Sequence, residues 1–316
     1  MDREPKILIY SPNDTQVYAD LLQAKGYTAV GSASTPEEAA ERLAGTEVLL
    51  SWKFPLHLLS RPEASSVKWI QSMGAGVDDL VSLPHIPEQI VITRIVDQFG
   101  GSIAEYVFAY LLYLNQDISR IRIAQKEKKW EPFLPGFLAG KTMGVAGLGS
   151  IGKEIAKKAR AFDMSVSGLS YSGKQAHLVD QHYGPDEWRA FVQELDYLVL
   201  TLPLTDETRH VINRELLLAM KSTACLVNVG RGKLVVEEDL IDVLHSGHLQ
   251  AAVLDVFYEE PLLKENPLWT LPNVYVTPHI SGPSIPLEVM RFFADNVKLY
   301  LKGEPLRGVV NRNSSY

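Results

Sequence analysis

The sequence predicts an α/β protein built on a doubly wound parallel sheet, and three observations carry that prediction. Short apolar runs alternate with amphipathic segments along nearly the whole chain. Gly147, Gly149 and Gly152 form a G-x-G-x-x-G pattern between an apolar run, Lys141 to Ala146, and a helical segment, Ile151 to Ala159. The most distinctive polar positions, Arg231, Glu260 and His279, all follow apolar runs, where ligands meet such a sheet.

Bulk properties narrow the class. The 316 residues allow two domains of ordinary size. A net charge of −7 argues against general nucleic-acid binding. The basic cluster Lys126 to Lys129 reads as a solvated helix end. The single cysteine, Cys225, lies in an apolar run and reads as a core residue, which fits a reducing cytoplasm. No signal peptide is expected at the start Met-Asp-Arg-Glu-Pro. The longest apolar run, Tyr106 to Leu114, is far short of the roughly 20 residues of a membrane span.

In order, Lys6 to Tyr10 predicts a buried strand. A helix marked by Val17, Leu21 and Leu22 follows and closes at Gly26. Pro36 to Ala44 predicts a second helix, and Val48 to Ser51, Lys68 to Gln71 and Ile90 to Thr93 predict further strands. Gly100-Gly101-Ser102 reads as a hinge and cap before one long helix over 103–126. That helix is apolar around too much of its circumference for one buried face, so part of it is expected to meet another subunit.

After the glycine pattern, strands are predicted over 165–169, 197–202, 224–228, 251–256 and 274–277, with helices over 185–195, 213–220 and 237–246. The last helix, 286–301, carries an apolar face of Val289, Phe292, Phe293, Val297 and Tyr300 that would pack on the first domain. The expected organisation is a discontinuous smaller α/β domain, 1–99 with 285–316, interrupted by a dinucleotide-binding Rossmann domain, 100–284.

The glycines give each part of a phosphate site a reason. Gly147 permits the tight turn, Gly149 lets a pyrophosphate approach the backbone, and Gly152 lets helix and strand pack closely. Leu148, Ser150 and Ile151 complete the loop and the helix start, where free N–H groups favour an anion. An acid at the end of the next strand would bind a ribose 2′-hydroxyl; Ser170 stands there instead. Ser170, Ser172 and Lys174 can donate to a 2′-phosphate, although no arginine fork is present. NADP(H) is therefore favoured, with NAD(H) as the alternative if these residues only form a polar turn.

Three later stretches carry the chemistry: Asn228 to Gly232, Asp255 to Pro261, and Thr277 to Gly282. Singly, Arg231 could be a surface charge, Glu260 a turn carboxylate and His279 a loop residue. Together, after a nucleotide fingerprint and in this order, they are much more specific, and they can meet the needs of reducing a 2-keto acid, the reaction implied by the family resemblance set out below. Arg231 would hold the substrate carboxylate through its fork of donors and lean on the carbonyl. Backbone N–H groups near Ala75 and Gly76 would share that carboxylate. His279 would deliver the proton, and Glu260 would orient its ring and favour the charged form.

The order of these motifs resembles the D-isomer-specific 2-hydroxyacid dehydrogenase family. Carrying the resemblance are Gly147-x-Gly149-x-x-Gly152, Asn228-x-Gly230-Arg231-Gly232, Asp255-Val256-Phe257-x-x-Glu260-Pro261 and Thr277-Pro278-His279-Ile280, with Gly74-Ala75-Gly76-Val77-Asp78 as the substrate loop. Within the family the chain looks most like glyoxylate/hydroxypyruvate reductases, from Ser51 to Pro55, Trp130 with Pro132, and Leu301 to Pro305. The resemblance implies a D-2-hydroxy acid product and a homodimer with the 103–126 helix in its interface. Pro203, Thr208, Val229, Gly230, Arg231, Asp255, His279, Ser281 and Gly282 join the expected cofactor site, with Asp255 supporting the nicotinamide end. Trp52 and Met73 join Gly74, Ala75, Gly76 and Arg231 around the substrate. Glu260 stands where the superfamily's formate dehydrogenases carry glutamine, which favours a substrate with a carbonyl to protonate.

No metal is expected, since His177 and His182, and His245 and His248, lack accompanying acids or cysteines in a ligand pattern. Neither nucleic acid nor membrane is expected as a partner. Two competing readings remain. One is a D-3-phosphoglycerate dehydrogenase, weakened because the chain ends soon after the last helix. The other is an NAD(H)-sensing interaction protein like the family's transcriptional corepressors, which can keep the same three residues.

Overall fold

Parallel strands build two separate sheets. The computed structural model describes residues 4–81 and 86–311. The chain divides into Met1–Gln98 with Ser284–Tyr316, and Phe99–Pro283.

In the first unit β1 (Ile7–Tyr10), β2 (Val30–Ala33), β3 (Val48–Ser51), β4 (Trp69–Ser72) and β5 (Val91–Thr93) pair in the order β2-β1-β3-β4-β5, all parallel. This is the flavodoxin-like order. Edge strand β2 was not expected: Val30-Gly31-Ser32-Ala33 lacks an apolar run, and only Ala33 is buried. The helix Thr15–Gln23 buries Tyr18, Ala19 and Leu22 and leaves Val17 46% exposed, so its inner face is rotated from the one read off Val17.

The helix Pro286–Lys302 buries Val289, Phe292, Phe293 and Val297 in this unit. Phe293 and Tyr300 flank the Trp69 indole at 5.3 and 5.5 Å between ring centres. Beneath them the Trp69 Nε1–H donates to Thr93, whose hydroxyl donates to Gln71, which also accepts from Asn296. Every member of this buried polar chain is satisfied, which fixes how the last helix seats on β4 and β5.

In the second unit β6 (Thr142–Ala146), β7 (Ser165–Leu169), β8 (Gln181–Tyr183), β9 (Tyr197–Leu200), β10 (Cys225–Asn228), β11 (Ala251–Leu254) and β12 (Val274–Val276) pair in the order β12-β11-β10-β9-β6-β7-β8. All are parallel. The order is that of a Rossmann sheet with one further strand, and it reverses beside β6, the strand that feeds the glycine turn. The central strands β9, β10 and β11 are buried at every position, as a sheet covered on both faces requires. Cys225 belongs to that core, and burial pushes its thiol up to about 12.

The expected long helix is two helices, Gly100–Asn115 and Ile118–Lys126. Asp117 breaks them, with φ 44 and its carboxylate accepting from the Arg120 N–H. Gly100 and Gly101 are not a hinge but the first turn of the earlier helix. At Gly100 a methyl would meet the Ser150 carbonyl at 2.8 Å, so this glycine allows two helices to cross closely. Among the described residues no helix is long and apolar enough to cross a membrane.

Candidate active site

Because the strands of the second sheet all run the same way, their C-terminal ends share one edge, and the polar stretches singled out in the sequence follow those ends. After β6 the chain turns at Gly147 with φ 100, where a Cβ would meet Thr201 Oγ1 at 2.8 Å. At Gly152 a Cβ would sit 1.9 Å from the Gly147 carbonyl oxygen. Only glycine lets the helix Ser150–Ala161 start so close to its own turn. Gly149, by contrast, faces open space. No side chain caps this helix, so its first N–H groups are left for a ligand. Leu148 is buried; its side chain would touch a Cβ on Gly168 at 2.8 Å, so its contribution to a ligand is backbone. These residues fit the pyrophosphate of a dinucleotide.

Ser170 follows β7 and is tied twice to β8. Its N–H donates to the Tyr183 carbonyl at 3.2 Å, and its hydroxyl lies 2.9 Å from His182 Nε2. Tyr171, Ser172 and Lys174 are exposed around Gly173, which has φ 63. After β9, the Thr208 hydroxyl donates to the Pro203 carbonyl at 2.7 Å and accepts from the Thr205 N–H at 2.8 Å. It shapes its own loop.

Arg231 follows β10 between two glycines that tolerate no side chain. A Cβ on Gly230 would meet the Leu202 carbonyl oxygen at 2.8 Å, and one on Gly232 would lie 1.9 Å from the Phe257 carbonyl carbon. Val229 is buried and donates its N–H to the Leu200 carbonyl. Asn228, buried at the strand end, accepts from the Gly230 N–H and donates to the Arg231 carbonyl. It holds the backbone on both sides of Arg231 and was not singled out for this from the sequence. The asparagine in the motif was the available signal.

Asp255 organises the next loop. It is fully buried and accepts from Thr277 Oγ1 at 2.6 Å, the Ile280 N–H at 2.8 Å and the Ser281 N–H at 2.9 Å. Its carbonyl accepts from the His279 N–H at 2.9 Å. Tyr106 adds a second tier, its hydroxyl 2.7 Å from that of Thr277. Burial drives the Tyr106 phenol well above its ordinary range. Gly282 closes the loop against Ile103, 3.1 Å from where a Cβ would be.

Held this way, His279 takes a left-handed backbone with φ 54. Its Nδ1 lies 2.8 Å from Glu260 Oε2, while Glu260 Oε1 accepts from the Phe257 N–H. The carboxylate therefore fixes the ring, and Nε2 has no partner among the described residues. An imidazole oriented by a carboxylate through one nitrogen is poised to exchange a proton through the other.

The expected substrate-side residues lie in the first unit. Trp52 follows β3 and is 37% exposed, and a Cβ on Gly74 would meet its ring at 2.7 Å. Met73 is buried, its N–H bound to the Ser51 carbonyl and its carbonyl to the Ser284 hydroxyl. Half-exposed Ala75 and Gly76 follow. Arg94, beyond the end of β5, donates to the Ala75 carbonyl at 3.3 Å. Sequence reading passed over it, although a lone arginine after a buried strand was the signal.

Residues 108–281 match the model of the D-isomer specific 2-hydroxyacid dehydrogenase NAD binding domain. The chain is 31% identical over 319 residues to glyoxylate/hydroxypyruvate reductase A of Klebsiella pneumoniae, covering 98% of this chain and 100% of that one. It is 33% identical to D-3-phosphoglycerate dehydrogenase of Methanocaldococcus jannaschii, covering 97% of this chain but 59% of that longer protein. Among solved structures, an NADPH-dependent glyoxylate/hydroxypyruvate reductase from Sinorhizobium meliloti, in complex with NADP and sulfate, superposes with a TM-score of 0.88 at 29% identity, covering 98% of this chain and 100% of that one. With its two parallel sheets, its glycine turn and its arginine, glutamate and histidine at the ends of β10, β11 and β12, the chain belongs to the D-isomer specific 2-hydroxyacid dehydrogenase family.

Proposed function

We propose that this enzyme reduces a small 2-keto acid, glyoxylate or hydroxypyruvate, to the D-2-hydroxy acid with NADPH. The observation that carries the reading is the Glu260–His279 pair at 2.8 Å, whose members follow the next two strands beyond that of Arg231 in the same sheet. The nicotinamide supplies hydride when bound. Arg231 holds the substrate carboxylate and polarises the carbonyl through its planar fork of donors. As negative charge grows on the carbonyl oxygen, His279 delivers a proton from Nε2. Glu260, on Nδ1, stabilises the imidazolium that must exist beforehand. In the reverse direction neutral His279 accepts that proton. The loop Met73–Gly76 keeps its proposed role as the substrate loop, with Trp52 beside it.

The residues at the end of β7 support NADPH. No carboxylate stands at Ser170 to repel a 2′-phosphate, and Ser172 and Lys174 offer donors nearby. Related proteins whose solved structures hold NADP or NADPH point the same way.

A homodimer through the 103–126 region is supported by apolar side chains left exposed there and in the following loop. Ile123 is 59% exposed, Trp130 95% and Leu134 88%. The buried, unpaired Cys225 supports a cytoplasmic setting.

The test is a steady-state assay by cofactor absorbance with NADPH and NADH on glyoxylate, hydroxypyruvate, pyruvate and phosphohydroxypyruvate. Fast NADPH-linked turnover of the first two is expected. Preferential use of phosphohydroxypyruvate would move the assignment to the phosphoglycerate dehydrogenase relatives. Tight cofactor binding without turnover of any acid would favour a sensing role.

A further inference from the structure

β8 was not expected from the sequence, and it puts a histidine against Ser170, the residue proposed above to face the cofactor's 2′ position. Strand β8 runs parallel to β7, with His182 opposite Gly168 and Tyr183 opposite Leu169. The Tyr183 carbonyl takes the Ser170 N–H, and His182 Nε2 lies 2.9 Å from Ser170 Oγ. Both side chains are half-buried. The imidazole sits below the turn, its Cε1 3.8 Å from where a Cβ on Gly173 would be.

A serine hydroxyl has one proton and two lone pairs, and a histidine nitrogen can take either side of the bond. If the imidazole accepts, the single proton of Ser170 is spent inward and only lone pairs face the cofactor. If Nε2–H donates, a lone pair of Ser170 is filled and its proton turns outward. A phosphate at the ribose 2′ position needs donors. A 2′-hydroxyl can donate or accept and is served by either arrangement. The direction of this one hydrogen bond therefore separates the two cofactors, at a site with no arginine to dominate the choice.

We propose that His182 is a positioning residue for cofactor selection: its Nε2–H donates to Ser170 and so presents the Ser170 hydroxyl as a donor to the 2′-phosphate. This rests on the NADPH reading above. The strand pairing alone would hold the Ser170 backbone; only the histidine fixes where its proton points.

The test measures dissociation constants for NADPH and for NADH by quenching or enhancement of cofactor fluorescence, which needs no turnover. Wild type, H182L, H182Q, S170A and the double variant H182L/S170A are compared, with thermal melting to confirm that each folds. H182L is expected to weaken NADPH severalfold, because the Ser170 proton is no longer held outward, with NADH little changed. H182Q, whose amide keeps a donor, should restore most of the loss. On the S170A background H182L should add little, since the two residues act as one. Equal weakening of both cofactors would overturn the proposal, as would an undiminished effect of H182L in S170A. A wild-type preference for NADH would instead overturn the cofactor reading; the NADPH constants of the variants would still decide the role of His182.

Discussion

The loop after β12 and the turn after β7 end two strands of one sheet, yet they are secured in different ways. Residues 277–281 are bound from below by the buried Asp255 carboxylate, which gathers one hydroxyl and two backbone N–H groups. Residues 170–174 hang from β8 by one backbone bond and one side-chain bond at Ser170, with Tyr171 90% exposed beyond them. The proton delivery proposed for His279 demands a nitrogen held within a few tenths of an ångström, and its loop is correspondingly over-determined. Choosing between a phosphate and a hydroxyl, the part proposed for residues 170–174, demands only the right sign of polarity, which a lightly held turn can supply.

Removing the anchor of the tighter loop should have the largest effect. D255A leaves three donors facing a buried void, at about 1–3 kcal/mol for each unsatisfied group. Both melting temperature and activity should fall sharply. A variant that melts like wild type would show that the loop is held by something else. Next, H279N should keep the fold, because asparagine tolerates a left-handed backbone, while kcat drops by about 10²–10⁴. Retention of near-wild-type kcat would remove His279 as proton donor.

At the looser turn the expected change is in selectivity rather than rate. S170D places a carboxylate where the 2′-phosphate is proposed to lie, and like-charge contact of this kind costs several kcal/mol. The ratio of kcat/KM for NADPH to that for NADH should fall by about tenfold or more, with kcat for NADH preserved. An unchanged ratio would place the phosphate elsewhere. The smallest effect belongs to Tyr106. Its folded pKa is raised by burial above the ordinary 10.0, so its contribution to stability is complete below pH 10.0 and is lost as pH rises beyond it. Y106F should soften the alkaline decline of the melting temperature. An identical alkaline profile would show that other buried tyrosines set it.

The same contrast explains what the sequence disclosed. Buried parallel strands read plainly because both faces demand apolar residues, as in Leu198, Val199 and Leu200 or Leu226 and Val227. The edge strands β2 and β8 did not, because Val30-Gly31-Ser32 and Gln181-His182-Tyr183 bury too little to leave a pattern. Glycines were legible where geometry leaves no choice, as at Gly152 and Gly232. Asp117 was not read as a helix break, since nothing but its own backbone and cap interrupts the apolar spacing of 103–126. Arg94 and the pairing of His182 with Ser170 depend on which strands become neighbours, and a single sequence does not display that; the Asn228 side chain bonds only within its own turn, where the motif marks it.

The backbone of one residue links two of the groups assigned to the chemistry. The Phe257 carbonyl fills the space beside Gly232, and the Phe257 N–H donates to Glu260. The arginine segment and the glutamate that orients the histidine are thus spaced by the backbone of one residue, not by adjustable side chains. Such a site has no partial settings. Under heating or mild denaturant, the amides of Phe257, Ile280 and Ser281 should exchange with solvent as one cooperative group, and the capacity for turnover should disappear in the same step.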